Sequence, residues 1–258
     1  MRLSKFGLIG YPLEHSFSKS YYLEKFEREG IRQVEYDLFP LKQIEEFPHL
    51  VADNHHLLGV NVTIPYKIEV MKYLDELSPE AEAIGAVNCI RIERDENGGV
   101  RMKGFNTDVY GFEQSLRPLL SERHQQALVL GNGGAARAVC FALDKLGIGW
   151  NLVSRNPQKG IPPQLGYHDL DQKVLDQHLL IINTTPLGTF PQIEQAPDLP
   201  YELLGEKHLL YDLIYNPSET TFLRKGSMQG ATVKNGHEML VLQAERNWEI
   251  WTAENSII

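Results

Sequence analysis

The chain's 258 residues predict a two-domain α/β protein, and three observations carry that prediction. The length exceeds the roughly 100–150 residues usual for one domain. Short β-prone apolar runs alternate with helical segments along most of the chain. Near the midpoint, "ALVLGNGGAARAV" runs an apolar strand through a glycine turn into an alanine-rich helix without delay.

Taken in order, "KFGLIGYP" reads as a buried strand closed by a Gly and Pro turn. "SKSYYLEKFEREG" follows as a helix with Tyr22 and Phe26 at helical spacing and Gly30 as its stop. "VEYDLFPL" and "LLGVNVTIP" are strands separated by the helical "IEEFPHLVADN", and "YKIEVMKYLDEL" reads as a helix opening just after Pro65. From residue 86 the pattern changes: "AVNCIRIER" and "VRMKGF" flank the turn cluster "DENGG", the chemistry of an antiparallel hairpin. "NTDVYGFEQSLRPLL" then starts a helix at an Asn, Thr, Asp cluster, where one domain hands over to the next. In the second half, "QALVLG", "WNLVSRN", "LLIINTTPLG", "LLYDLIYNP" and "ATVKNG" are short buried runs of parallel-strand type with crossovers between them. "HEMLVLQAERNWEIWT" closes the chain as an amphipathic helix, with Leu240, Ala244, Trp248 and Trp251 on one face.

Composition narrows the function. With 42% hydrophobic and 23% charged residues the chain has ordinary globular usage. A net charge of -9 lacks the basic stripe that neutralises a phosphate backbone, so the expected partner is a small molecule and not nucleic acid. An anionic ligand would have to be caught by local donors, such as helix N-termini and hydroxyls. No apolar run approaches the ~20 residues of a membrane span, and the N-terminal run is too short for a signal peptide. The two cysteines, Cys89 and Cys140, sit inside apolar patterns without metal-type spacing, and none of the nine histidines shows a ligand pattern, so no metal is expected. A reducing cytoplasm is the expected compartment.

In "GVNVTIPYK" the two-residue strand period puts Val60, Val62, Ile64 and Tyr66 on one edge and Asn61, Thr63, Pro65 and Lys67 on the other. A strand margin meeting water explains that edge as well as a polar site does.

The glycine turn is more telling. Gly131, Gly133, Gly134 and Ala136 fit G-x-G-x-x-A: a tight turn, close approach of a pyrophosphate, and close helix packing, as in a Rossmann-type domain. A structural glycine turn is the plainer reading, and the strand-to-helix context favours the nucleotide. At the end of the next strand, where an NAD site carries an acidic residue, the chain has Ser154 and Arg155, with Lys159 nearby. An arginine there suits a 2′-phosphate, so NADP is the expected cofactor; both cations also suit a solvated loop.

Seven pieces, "HSFSKS", "GVNVTIPYK", "GAVN", "GFNTD", "NTTPLG", "YDLIYNP" and the glutamine of "MLVLQA", stand in order around that loop. In this the sequence resembles the shikimate dehydrogenases, over nearly its whole length. The resemblance implies a substrate domain of residues 1–104 completed by a C-terminal helix over 237–258 that packs back on it, and a Rossmann NADP-binding domain over 105–236. It implies reversible hydride transfer between NADPH and 3-dehydroshikimate, giving shikimate. Lys67 and Asp108 become the catalytic pair, Ser16 and Ser18 the hydroxyls for the substrate carboxylate, and Thr63, Asn88, Asp108 and Gln243 the partners of the ring hydroxyls, with Tyr215 on the substrate side. The polar edge Asn61, Thr63, Lys67 would face the cleft between domains. Cofactor contacts map to Gly131, Asn132, Gly133, Gly134 and Ala135, to Ser154, Arg155 and Lys159, and to Leu213 and Gly236.

Local roles compete with these. Ser18 and Asp108 suit helix N-caps, and Asn88 suits a pin for the hairpin. In the first turn of the expected helix, the dipole would lower the Lys67 pKa and a neighbouring Asp108 carboxylate would raise it. Four departures stand out: Lys19 replaces the family's usual proline, Asn132 its usual alanine, "SRNPQK" its N-R-T stretch, and "NGHEML" the common D-G-x-x-M-L. Two further readings remain: an NAD-preferring quinate or shikimate dehydrogenase, which Arg155 opposes, and a silent NADP or ring-acid binding relative, which has no chemical need of Lys67 and Asp108. Monomer and homodimer are both open.

Overall fold

A computed structural model describes residues 3–13, 17–157 and 164–253. The chain forms two compact units, one of the residues up to Thr107 together with those from Ala244 onward, the other of Asp108–Gln243.

The first unit contains β1 (Ser4–Gly10), α1 (Phe17–Arg28), β2 (Val34–Pro40), α2 (Phe47–Asp53), β3 (Leu57–Val62), β4 (Glu76–Leu77), α3 (Pro79–Ile84), β5 (Cys89–Arg94) and β6 (Val100–Phe105). Its mixed sheet has the order β2-β1-β3-β5-β6-β4, with β2, β1 and β3 mutually parallel and β3-β5 and β5-β6 antiparallel. Asp95 closes the expected β5-β6 hairpin, its Oδ1 accepting from the amides of Asn97 and Gly99 at 2.8 Å each. Both faces of β3 are covered, so Leu57, Val60 and Val62 join one core while Asn61 is also buried.

Two expectations for this unit are corrected and one helix is added. The run after Pro65 is not an α-helix: residues 64–68 form turns, Glu69–Tyr73 a single 3-10 helix, and β4 follows. The Asp75 amide donates to the Met102 carbonyl at 2.9 Å, and β4 then pairs with β6, so sheet pairing takes the backbone groups a helix would have used. Ile64 does not continue the apolar edge of β3; the strand ends at Val62 and Ile64 is 74% exposed. A short helix went unread in "SPEAEAIG": Ser78 caps α3 by accepting from the Ala81 amide, Pro79 opens it, and Gly85 ends it at φ 70°.

The second unit contains α4 (Asp108–Leu116), β7 (Gln126–Leu130), α5 (Gly134–Leu146), β8 (Gly149–Ser154), β9 (Gln164–Gly166), α6 (Gln172–Gln177), β10 (Leu180–Asn183), β11 (Leu209–Asp212), α7 (Thr221–Met228), β12 (Thr232–Lys234) and the first turns of α8 (His237–Thr252). Its sheet is parallel throughout, in the order β12-β11-β10-β7-β8-β9. Numbered from its own first strand this is the doubly wound order 3-2-1-4-5-6, whose direction reverses between β7 and β10.

The later turns of α8 belong to the first unit. There Ala244, Trp248 and Trp251 are buried against Phe6, Tyr22 and Phe26, as the amphipathic pattern predicts. Trp251 stacks on Phe6 with ring centroids 4.9 Å apart, and its Nε1 donates to the Ile90 carbonyl at 3.0 Å. Gly59 of β3 admits the indole, because a Cβ there would lie 2.3 Å from Trp251 Nε1. Buried Lys25 of α1 pairs with Glu245 at 2.8 Å, so charge as well as packing fixes the helix.

Candidate active site

In the first unit the motif residues meet where β3 and β5 turn out of the sheet. The Thr63 amide donates to the Ile9 carbonyl at 3.0 Å, and Gly10 leaves room for its methyl, since a Cβ there would lie 2.4 Å from Thr63 Cγ2. The Val87 amide donates to the Lys67 carbonyl at 2.7 Å, and the Val62 amide to the Asn88 carbonyl at 2.8 Å. Thr63, Lys67 and Asn88 thus share one end of the sheet, with Thr63 and Lys67 half-buried and Asn88 buried. Lys67 lies in the turn before the 3-10 helix, so the aligned peptide dipoles expected to act on its ammonium are not assembled there.

Asn88 does pin local structure. Its Oδ1 accepts from the Thr107 amide at 2.7 Å, and its Nδ2 donates to Thr107 Oγ1 at 3.0 Å. Thr107 Oγ1 in turn donates to Oδ1 of the fully buried Asn247 at 2.6 Å. A threonine hydroxyl therefore ties the "GAVN" turn, the "NTD" turn and α8 together. Sequence reading passed over Thr107 and Asn247; the isolated asparagine on the apolar face of α8 was the available signal. Thr107→Val is expected to cost about 1–3 kcal/mol, because it strips a bond from each of two buried amides. A denaturant midpoint matching wild type would contradict this.

Ser16 lies outside the described residues. Ser18 is the second residue of α1, inside the helix that begins at Phe17, so its alternative reading as N-cap is corrected. Lys19 also falls in the first turn, where proline is tolerated, and reaches Asp37 at 3.8 Å. Asn61 is buried and not part of an exposed polar edge: its Oδ1 accepts from the hydroxyl of fully buried Tyr36 at 2.7 Å, and its Nδ2 donates to the Asn88 carbonyl at 3.4 Å.

In the second unit Asp108 is the first residue of α4, half-buried, where a carboxylate suits the helix dipole. Gly111, one turn on, lets α8 cross closely: a Cβ there would lie 2.4 Å from the Met239 carbonyl oxygen and 3.2 Å from Gln243 Cβ. Gln243 is buried, and its Nε2 donates to the Leu240 carbonyl at 2.8 Å.

The carboxyl edge of the parallel sheet carries the other residues. Gly131 turns the chain at φ 104°, and Gly133 caps α5. Added Cβ atoms at Gly133 and Gly134 would meet nothing within 4 Å, so the space beside the start of α5 is open. Asn132 and Ala135 are exposed on this loop, and Ala136 is buried as the close-packing position requires. No acidic residue occupies the first turn of α5, which leaves its positive end available to an anion. Ser154 ends β8 buried, its Oγ donating to Gln164 Oε1 at 3.3 Å, and Arg155 beside it is exposed. Arg155 also acts on Tyr167 through its charge: burial pushes that phenol up and the guanidinium pulls it back. Lys159 lies outside the described residues.

Across the reversal point, the Thr184 amide and Oγ1 both donate to the Leu130 carbonyl, at 3.0 and 2.6 Å. The Leu213 amide donates to the Asn183 carbonyl at 3.0 Å, and the Gly236 amide to the Ile214 carbonyl at 3.0 Å. Gly236 must be glycine, because a Cβ would sit 2.1 Å from the Leu213 oxygen. Tyr215 lies in the loop beyond, 37% exposed, its phenol pushed up by burial. A cavity of about 190 Å³ near His124, Lys207 and His208 opens at the opposite, amino edge of this sheet and is not the ligand crevice of such folds.

A mixed α/β unit joined to a doubly wound parallel sheet, with a glycine turn where the strand order reverses, defines a two-domain protein of the Rossmann class. Within that class, the family model "Shikimate dehydrogenase substrate binding domain" matches residues 8–90. A shikimate dehydrogenase (NADP(+)) of Methanococcus maripaludis is 38% identical, over 95% of this chain and 90% of the relative. A crystal structure of shikimate dehydrogenase in complex with NADP+ superposes with a TM-score of 0.85 at 34% identity, covering 97% of this chain and 90% of the other. The Thermus thermophilus shikimate 5-dehydrogenase in complex with NADP(H) and shikimate gives a TM-score of 0.82 at 32% identity, covering 97% and 94%. The chain belongs to the shikimate dehydrogenase family.

Proposed function

We propose that the protein is an NADP-dependent shikimate dehydrogenase, reducing 3-dehydroshikimate to shikimate reversibly in aromatic amino acid biosynthesis. The observation that carries the proposal is the placement of Thr63, Lys67 and Asn88 at one sheet end by direct backbone bonds, in a chain whose second sheet has its glycine turn at the reversal point. Residues 1–104 with 237–258 are read as the substrate domain and residues 105–236 as the NADP domain.

NADPH, when bound, supplies the hydride that reduces the substrate carbonyl. The residues do the rest. Negative charge gathers on the carbonyl oxygen as hydride arrives, and Lys67 Nζ supplies the proton there, or removes it in the direction of oxidation. Asp108, one residue beyond Thr107, orients the lysine and accepts from a ring hydroxyl. Ser16 and Ser18 hold the substrate carboxylate; Thr63, Asn88 and Gln243 bond the ring hydroxyls; Tyr215 closes the substrate side.

For the cofactor, the amides from Gly131 to Ala135 take the pyrophosphate and Arg155 the 2′-phosphate, with Ser154 and Lys159 beside it and Leu213 and Gly236 contacting the nucleotide. The open space over Gly133 and Gly134 and the exposed Arg155 fit that group. Both cysteines are buried and free, with the Cys140 thiol pushed up to about 12 by burial, in keeping with a reducing cytoplasm.

Arg155→Asp is expected to shift the ratio of NADP to NAD efficiency about 10- to 100-fold toward NAD, the worth of a hydrogen bond to a charged group. Initial rates with shikimate and each nucleotide measure it, and an unaltered ratio would place the phosphate elsewhere. Quinate offered in the same assay separates this reading from a quinate dehydrogenase.

A further inference from the structure

The carboxylate of Asp212 ends β11 with no exposed surface and is met by three donors. Its Oδ1 accepts from Asn183 Nδ2 at 3.0 Å and from the Ile214 amide at 3.1 Å, and its Oδ2 accepts from Thr220 Oγ1 at 2.6 Å. Asn183, equally buried at the end of β10, uses its Oδ1 to accept from the Thr185 amide at 3.0 Å and from Thr185 Oγ1 at 2.7 Å. Thr185 Oγ1 accepts in turn from the Leu187 amide at 3.3 Å. One carboxylate therefore fixes both the loop after β10 and the loop after β11, including the Leu213–Ile214 backbone that Gly236 packs against.

Placing a charge here is costly. Burial pushes the Asp212 carboxyl up to about 6, against the pull of Thr220, Ile214 and Asn183. A neutral residue would close the core more cheaply, so the carboxylate calls for an explanation beyond packing. A dinucleotide on this sheet order spans the reversal point, its adenosine half over β7 and β8 and its other half over β10 and β11.

We infer that Asp212 is a positioning residue for the nicotinamide half of the cofactor, acting through Asn183, Thr185 and the Leu213–Ile214 backbone without touching the ligand. The inference rests on the proposed NADP site. It separates the two halves of the nucleotide, which a merely structural residue would not do.

The test is a binding titration of full-length wild type and Asp212→Asn with NADP and, separately, with adenosine 2′,5′-bisphosphate, which lacks nicotinamide. Asp212→Asn keeps the shape and an oxygen for Asn183 and Ile214, but puts an NH2 against Thr220 Oγ1, whose hydroxyl loses its acceptor there. NADP is expected to bind about tenfold more weakly while the bisphosphate binds as to wild type. Thr185→Val, which removes the two bonds of the Thr185 hydroxyl at the far end of the chain of contacts and leaves those to the carboxylate in place, is expected to shift NADP in the same direction by less, and serves where Asp212→Asn does not fold. Equal weakening of both ligands, or of neither, would overturn the inference. Wild type binding neither ligand would instead overturn the NADP reading, and this inference with it.

Discussion

Lys67→Ala is expected to lower turnover of shikimate by about 10²- to 10⁴-fold, the usual contribution of a positioned proton donor. Shikimate binding should remain measurable, because the carboxylate and ring hydroxyls have partners of their own in the proposed site. The fold should survive as well: the Lys67 side chain is only half-buried, and the bond that anchors this turn is made by its backbone carbonyl to the Val87 amide. Steady-state rates with saturating NADP, alongside equilibrium binding of shikimate, separate the two effects. A variant with wild-type turnover would show that the proton comes from another group. A variant that loses binding and turnover in equal measure would make the lysine a binding residue.

Trp251→Ala is expected to have the largest effect on stability, about 3–5 kcal/mol, the range for removing a fully buried aromatic side chain. The indole has no exposed surface, stacks on Phe6, lies against Gly59 and donates to the Ile90 carbonyl. Its loss opens a cavity and leaves that carbonyl short of a donor. A chemical denaturation midpoint reads the change, and a loss below about 1 kcal/mol would mean that α8 is held chiefly by Lys25–Glu245 and its neighbours.

The parallel sheet was legible because β7, β10 and β11 are short, largely apolar runs buried on both faces, and the helices between the strands have their own period. The glycine turn was legible because turn, phosphate approach and helix packing each demand a small residue at a fixed spacing. The stretch after Pro65 was not legible. Its apolar spacing suits a helix, and only pairing with β6, 25 to 30 residues further along, makes Glu76–Leu77 a strand. Asn61 misled for a related reason: alternation identifies a polar face only when one side of the sheet meets water, and β3 is covered on both sides.

At the site, the motifs gave residue types but not the contacts that hold them. Nothing in "GFNTD" shows that Thr107 binds Asn88 and Asn247 at once, since its partners come from a turn 19 residues earlier and a helix 140 residues later. Asp212 was likewise hidden inside "YDLIYNP", where an acidic residue in a β-prone run gives no sign of the three donors waiting for it. Long-range hydrogen bonds of this kind have no local sequence signature.

The most direct measurement is the initial rate of NADP reduction by purified wild-type protein offered shikimate. The account predicts sustained, shikimate-dependent reduction of NADP, faster than with NAD at equal concentration. No reduction by protein that still binds NADP and shikimate would contradict it, and would leave a binding protein built on the frame of a dehydrogenase.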